Sequence, residues 1–253
     1  MKNLKNLKLE NKKYIIFDMD GTLIDSIGVW NITDQKLIEK YGSQKPDLEQ
    51  VQIERDEFLH SNQNSDIYLA YCQYLIDKYN LNIKNPNELL KIRWDISGEV
   101  LEKEMDFKEN VVELILKLKS LGFILILATM TTQVQLDIYS KKNQVMLKKL
   151  NIEEAFDLIT RKEDVKNKKP DPEIYNKIKE YYNASNEECL IFEDSYTGIL
   201  AARQAGIEVI NIYDKYADID RKEIDKITDY KISNYQEFIN LVNDFYNQKI
   251  KIK

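Results

Sequence analysis

Five short apolar runs punctuate the chain: YIIF at 14–17, FILILA at 123–128, FDLI at 156–159, CLIF at 189–192 and IEVINI at 207–212. Their hydrophobicity is largely continuous rather than alternating, which is the pattern of strands covered on both faces. Helical patterns separate most of them. Val111, Val112, Leu114, Ile115, Leu118 and Leu121 recur at helical spacing, and Gly122 follows as a C-cap before the next strand. The segment YTGILAARQAG repeats the arrangement, with Ile199, Leu200, Ala202 and Ala205 apolar and Gly206 closing the helix before a strand. Helix-to-strand alternation of this kind predicts an α/β fold, a parallel sheet flanked by helices.

About 105 residues lie between the first run and the second, and residues 26–105 show amphipathic helical patterns without a convincing strand. Candidate helices fall at about 29–41, 47–60, 66–79 and 87–104, broken by YGSQKP and NLNIKNP. The expected organisation is a core domain of residues 1–25 and 106–253 with a helical cap domain, 26–105, inserted after the first strand. Open α/β sheets bind ligands at that strand end. No internal repeat is present.

Composition narrows the function classes. The 253 residues are 43% hydrophobic, enough for a substantial core, and the formal charge is 37 − 43 = −6 with both signs spread along the chain. That balance excludes a basic footprint for a nucleic-acid polymer. Cys72 and Cys189 are far apart and outside any Cys/His cluster, which argues against a thiolate metal site and a disulfide framework and fits a reducing compartment. The N-terminal stretch MKNLKNLKLENKK has no signal-like apolar run, and FILILA is too short to span a bilayer. A cytoplasmic protein without membrane partners is expected.

The chemistry is concentrated after the first strand, where YIIF runs into Asp18, Met19, Asp20, Gly21 and Thr22. In extended chain, residues i and i+2 point the same way, so Asp18 and Asp20 can address one site while Met19 turns aside. Two carboxylates about 4 Å apart at an effective dielectric of about 20 repel by roughly 4 kcal/mol, which a bound cation offsets. Gly21 allows a tight turn and Thr22 can donate its hydroxyl locally. Taken alone, the stretch reads equally well as solvated turn residues at a strand end.

The DMDGT segment resembles the DxDGT signature of the haloacid dehalogenase superfamily, and three later segments match the same family in order. FILILAT ends in Thr129, where the family has a Thr or Ser. KNKKPDPEIY places Lys169 before a proline. LIFEDSYTGILAARQAG supplies Glu193 and Asp194 at a strand end. Singly, Thr129 or Asp194 also reads as a helix cap and Lys169 as a solvated lysine. The matching motifs run from 18 to 198. The resemblance implies a Rossmann-like core with a helical cap and a magnesium-dependent phosphatase acting on a small phosphomonoester. It makes Asp18 the nucleophile and Asp20 the acid and base, with Thr129 and Lys169 on the phosphoryl group. Mg2+ would lie on Asp18, the Asp20 backbone carbonyl and Asp194, and Glu193 would act through water or behind the ligands. Met130 stands where the family often has Asn or Ser, and Thr131 is the candidate to replace that contact. Lys168 precedes Lys169 where the family has Gly, so either lysine can be the one that reaches the phosphate; Lys169, beside the proline, is preferred.

Other chemistries of the family compete. Dehalogenases lack the second aspartate and phosphonatases usually do, which disfavours both. A sugar phosphomutase of the β-phosphoglucomutase type shares every core residue and remains the alternative. A catalytically idle binding module is opposed by the retained Asp18, Asp20, Lys169 and Asp194. The single histidine, His60, falls late in a cap helix pattern, where packing or surface exposure is the simpler reading. Asp25, Ser26 and Trp30 are placed by position near the leaving group, although Trp30 also suits packing. Arg55, Arg93 and Lys45 are candidates for a second anionic group, with solvated charge as their default.

Overall fold

A computed structural model describes residues 2–62 and 66–251, apart from the side chains of His60 and 248–251. The role weighed for His60 therefore lies outside the described residues. In chain order the strands are β1 (Tyr14–Phe17), β2 (Ile124–Ala128), β3 (Leu158–Thr160), β4 (Cys189–Glu193), β5 (Glu208–Ile212) and β6 (Tyr230–Ile232). The α-helices are α1 (Val29–Tyr41), α2 (Leu48–Ser61), α3 (Ile67–Tyr79), α4 (Pro86–Lys103), α5 (Val111–Ser120), α6 (Gln133–Asp137), α7 (Gln144–Leu147), α8 (Ile152–Ala155), α9 (Glu173–Tyr182), α10 (Tyr196–Gln204), α11 (Arg221–Ile227) and α12 (Tyr235–Lys251).

All six strands are parallel, in the order β3-β2-β1-β4-β5-β6. This Rossmann-like order runs outward in both directions from β1, so the strand order reverses between β1 and β4, where open α/β sheets form their crevice. Every residue of β1 and β4 is buried, as continuous apolar runs require of a doubly covered sheet. One core cluster joins Tyr14, Ile16, Ile126 and Ile191 of the sheet to Ile174, Ile178, Ile199 and Ala202 of α9 and α10. Gly122 and Gly206 have φ of +85° and +74° after α5 and α10, a conformation in which Cβ would be strained. β3 begins two residues later than the FDLI run suggests, because Phe156 is buried ahead of the strand. β6 has little sequence signature: YKI offers only two apolar positions around a lysine.

The chain divides into two compact units, residues 1–25 with 106–253 and residues 26–105. The second contains α1 to α4, around a core of Leu37, Ile38, Val51, Tyr71, Leu75 and Leu89. Two arginines inside it depart from the solvated reading. Arg93 is buried in a two-point ion pair with Asp34, at 2.6 Å and 3.1 Å, and Asp34 also accepts from the Tyr71 hydroxyl at 3.1 Å. Arg55 is buried and donates to Asn31 Oδ1 at 2.5 Å. Removing Asp34 would leave the Arg93 charge without compensation in the core, and Arg55 ties α2 to α1 through Asn31 while pairing with Asp56 at 3.3 Å, so both arginines serve the unit's own packing. Lys45 is exposed and pairs with Glu39 at 2.9 Å. Trp30 packs edge-on to Trp94 with centroids 5.2 Å apart, with the Arg93 guanidinium 4.5 Å from its ring. Ser26 is buried, and its carbonyl accepts from the Val29 N–H at 3.1 Å.

Candidate active site

Strand register decides what stands beside the acidic turn. Phe17 is level with Leu127 on one side and Phe192 on the other, so the next residue, Asp18, leaves the sheet between Ala128 and Glu193. Its N–H donates to the Phe192 carbonyl at 3.0 Å. Gly21, at φ +81°, then turns the chain, and a Cβ there would collide with the Asp194 carboxylate. Glycine is thus required both by conformation and by the close approach of Asp194. The Thr22 hydroxyl donates to Asp194 Oδ1 at 2.7 Å, and the buried Tyr235 hydroxyl of α12 donates to the Thr22 carbonyl at 3.0 Å.

Lys169, rather than the exposed Lys168, reaches this point. Its Nζ donates to Asp18 Oδ1 and Glu193 Oε1, both at 2.7 Å, and to the Ala128 carbonyl at 3.1 Å. All three ammonium protons are therefore used. Glu193 is equally committed: its Oε2 accepts from the N–H groups of Asp194 and Ser195, each at 2.9 Å, and from the Ser195 hydroxyl at 3.0 Å. The start of α10 supplies these donors, and a Cβ on Gly198 would overlap the Glu193 carboxylate. Asn211 steadies the same turn from β5, donating to the carbonyls of Glu193 at 3.1 Å and Asp194 at 3.3 Å.

Asp18, Glu193 and Asp194 are buried, with one carboxylate oxygen of each within 4.8 Å of the others. Two of these three carboxylates, Asp18 and Glu193, share the one ammonium of Lys169. Burial pushes the Asp18 carboxyl up to about 8, outweighing the attraction of Lys169, and the charge of Glu193 adds to the rise. Burial likewise raises Asp194 well above the carboxylate range, helped by Glu193 and Asp18. Burial alone would lower Lys169, but the charges of Asp18 and Glu193 more than offset it and hold the ammonium protonated. This surplus of hard oxygen charge fits a divalent cation.

Asp20 stands apart from that cluster. Thr131 Oγ1 donates to its Oδ2, and the Tyr139 hydroxyl donates to its Oδ1 at 3.3 Å. Thr129 is buried beside them and accepts from the Thr131 N–H through Oγ1 at 3.0 Å. Asp25 is exposed on the core unit, whereas Ser26 and Trp30 belong to the other unit, where Trp30 packs on Trp94. Two tyrosines near the site were missed by sequence reading. Tyr139 lies in a polar stretch with no periodic signal, and Tyr175 follows the Lys-Pro segment at helical spacing that reads simply as core. The Tyr175 ring lies 5.2 Å from Lys169 Nζ, and its buried hydroxyl has no hydrogen-bond partner among the described residues.

Among the described residues, no helix is long and apolar enough to cross a membrane. A phosphorylated carbohydrates phosphatase of Thermotoga maritima is 34% identical over 198 residues, covering 78% of this chain and 82% of that protein. A phosphoglycolate phosphatase of Vibrio cholerae is 29% identical over 202 residues, covering 78% and 83%. Among solved structures, a candidate beta-phosphoglucomutase from Thermotoga maritima matches with a TM-score of 0.72 at 24% identity, covering 92% of this chain and 99% of that one. CbbY of Rhodobacter sphaeroides, solved with phosphate, matches with a TM-score of 0.62 at 21% identity, covering 88% and 95%. These two share the fold. The model of the haloacid dehalogenase-like hydrolases matches residues 15–212, which takes in the acidic turn, Lys169 and the Glu193–Asp194 pair. With most of the chain matched and a relative above 30% identity, this protein belongs to the haloacid dehalogenase-like hydrolase family.

Proposed function

We propose that the protein is a magnesium-dependent phosphatase that hydrolyses a small phosphomonoester through an aspartyl-phosphate. The observation that carries this reading is the Asp18 carboxylate at the end of β1, held by Lys169 at 2.7 Å inside a buried acidic cluster, with Asp20 two residues on. An Asp18 oxygen bonds to phosphorus as the phosphorus–oxygen ester bond breaks, and Asp20 gives its proton to the departing alcohol oxygen. In the second half, Asp20 takes a proton from water as the water oxygen bonds to phosphorus and Asp18 leaves. One ester and one water become one alcohol and one phosphate. Thr129 and Lys169 bind phosphoryl oxygens, and Lys169 supplies charge where negative charge is greatest.

Asp18, Asp194 and the Asp20 carbonyl would hold Mg2+. When bound, the ion supplies positive charge against the carboxylates and the phosphoryl oxygens. Glu193, with one oxygen on Lys169 and the other on the start of α10, is better suited to orient Lys169 than to ligate directly. Residues 26–105 act as the cap, and Asp25 of the core unit with Ser26 and Trp30 of the cap are the candidate contacts to the leaving group. The phosphorylated carbohydrates named for the Thermotoga maritima relative are the first class to test. The protein acts in the cytoplasm.

The test is phosphate release across sugar phosphates, phosphoglycolate and nucleoside monophosphates, with Mg2+ and with EDTA. Turnover of at least one sugar phosphate, lost in EDTA, is the expected result; turnover that survives EDTA rejects the metal. Conversion of glucose 1-phosphate to the 6-phosphate without phosphate release would replace hydrolase by mutase.

Magnesium should also stabilise the fold in a pH-dependent way. Free carboxyl groups titrate near pH 4, whereas buried Asp18 titrates at about 8. Between these values the metal-free folded protein keeps a proton that the unfolded chain has released, so its stability falls as pH rises. A cation displaces that proton. Differential scanning fluorimetry should therefore show a rise in Tm on adding 5 mM Mg2+ that is larger at pH 8 than at pH 5.5. An increment that shrinks with rising pH contradicts the ligand assignment.

A further inference from the structure

The structure assigns Thr131 and Tyr139 as a paired clamp on Asp20, positioning residues that hold its carboxyl in line with the departing oxygen. The inference rests on Asp20 being the acid and base. A carboxyl on one Cβ–Cγ bond swings freely unless both oxygens are held, and here they are: Thr131 on Oδ2 and Tyr139 on Oδ1, the latter at 3.3 Å. Thr131 is fixed in turn by its own N–H on Thr129 Oγ1 at 3.0 Å. The clamp is therefore continuous with a residue that faces the phosphoryl group.

Tyr139 is brought there by an unusual piece of helix. Ile138–Lys142 is a single π-helical turn between α6 and α7, the kind of wide turn that shifts side chains off the regular helical face and often marks functional sites. Both flanks are fastened. Thr132 and Gln135 form a reciprocal capping box at the start of α6, and Asn143 Oδ1 accepts from the N–H groups of Val145 and Met146, each at 3.0 Å, at the start of α7. Tyr139 itself is 3% exposed, so its ring is fixed by packing and only its hydroxyl is left to meet Asp20. Hydroxyls suit this task because each can donate or accept, and so can hold Asp20 through both halves of the reaction.

A positioned acid matters in proportion to the basicity of the leaving oxygen. An alkoxide needs the proton and a nitrophenolate hardly does. Tyr139→Phe keeps the ring and Thr131→Val keeps the shape, so each removes a hydroxyl with little change in packing. Tyr139→Phe should lower kcat/KM about tenfold on a sugar phosphate and about twofold on p-nitrophenyl phosphate, with kcat carrying the difference. Thr131→Val should show the same ordering with a larger gap. Added to Asp20→Asn, neither change should cost anything further on the sugar phosphate, because each acts through Asp20. Equal losses on both substrates, no loss, or full additivity with Asp20→Asn would overturn the clamp. Failure of the underlying reading looks different: Asp20→Asn alone would then lose no more on the sugar phosphate than on the aryl ester. Thermal midpoints within about 3 °C of wild type establish that each single variant is folded; an unfolded Tyr139→Phe leaves Thr131→Val to decide.

Discussion

Asp18→Asn should reduce phosphate release on the order of 10^4-fold or more while leaving the metal-free fold at least as stable as wild type. The two halves of that expectation have one cause. An amide oxygen can still accept from Lys169 Nζ, 2.7 Å away in the wild type, so the local hydrogen bond survives. It cannot form an acyl phosphate through an ionised oxygen, and the loss of a group that acts as covalent catalyst removes most of the rate. At the same time the substitution removes one of three clustered buried carboxylates, two of which, Asp18 and Glu193, share a single ammonium. Phosphate-release kinetics and a thermal melt in EDTA check both parts. Turnover above about one per cent of wild type would remove Asp18 as nucleophile, and a fall in the metal-free midpoint would mean that its charge is not surplus.

Lys169→Met is expected to fail in the opposite sense, through stability as well as activity. The ammonium is buried, donates to two carboxylates and a carbonyl, and remains charged because Asp18 and Glu193 outweigh the cost of burial. Replacing it by an apolar chain of similar length leaves those carboxylates facing one another without compensation, and breaking a buried pair in this way costs about 3–5 kcal/mol. Against a total stability of roughly 5–15 kcal/mol that is a large fraction. The lysine's folded pKa is raised, so its contribution is fully present at pH 8 and below and is lost only as pH climbs past the ordinary lysine range. The carboxylates left behind can take up protons as pH falls toward 5. The urea midpoint of the variant should therefore drop sharply at pH 8, drop less at pH 5.5, and recover in part with Mg2+. A midpoint unchanged at pH 8 would show that the acidic cluster does not depend on Lys169.

What the sequence made legible follows from how each feature is encoded. β1, β2, β4 and β5 are buried on both faces, and burial on both faces writes a continuous apolar run. β6 is a three-residue edge strand whose central Lys231 faces partly outward, so its signal is two residues long. The acidic turn and the Glu193–Asp194 pair are recognisable because they sit at strand ends, where spacing along the chain maps onto position in space. That Glu193 meets Lys169 with one oxygen and the start of α10 with the other is a matter of tertiary placement that spacing along the chain does not show. Arg55 and Arg93 read as solvated charge because their partners, Asn31 and Asp34, lie 24 and 59 residues away on another helix. Tyr139 had no signal at all. Its reach to Asp20, 119 residues away, depends on a π-turn that no periodicity announces.

The strand order also sets when the site can exist. β1 precedes the other described strands in the chain and lies in the middle of the sheet, yet its partner β4 begins 175 residues later, at the Tyr14–Cys189 pairing. At roughly 5–20 residues per second on the ribosome, Asp18 emerges about 9 to 35 seconds before the glutamate and aspartate that stand beside it. During that interval the whole helical unit from 26 to 105, an uninterrupted stretch, has already left the exit tunnel and can close its own core. The nascent chain thus carries a finished insertion in an unfinished host, and the acidic cluster waits on the pairing of β4 with β1 rather than on the DMDGT segment alone.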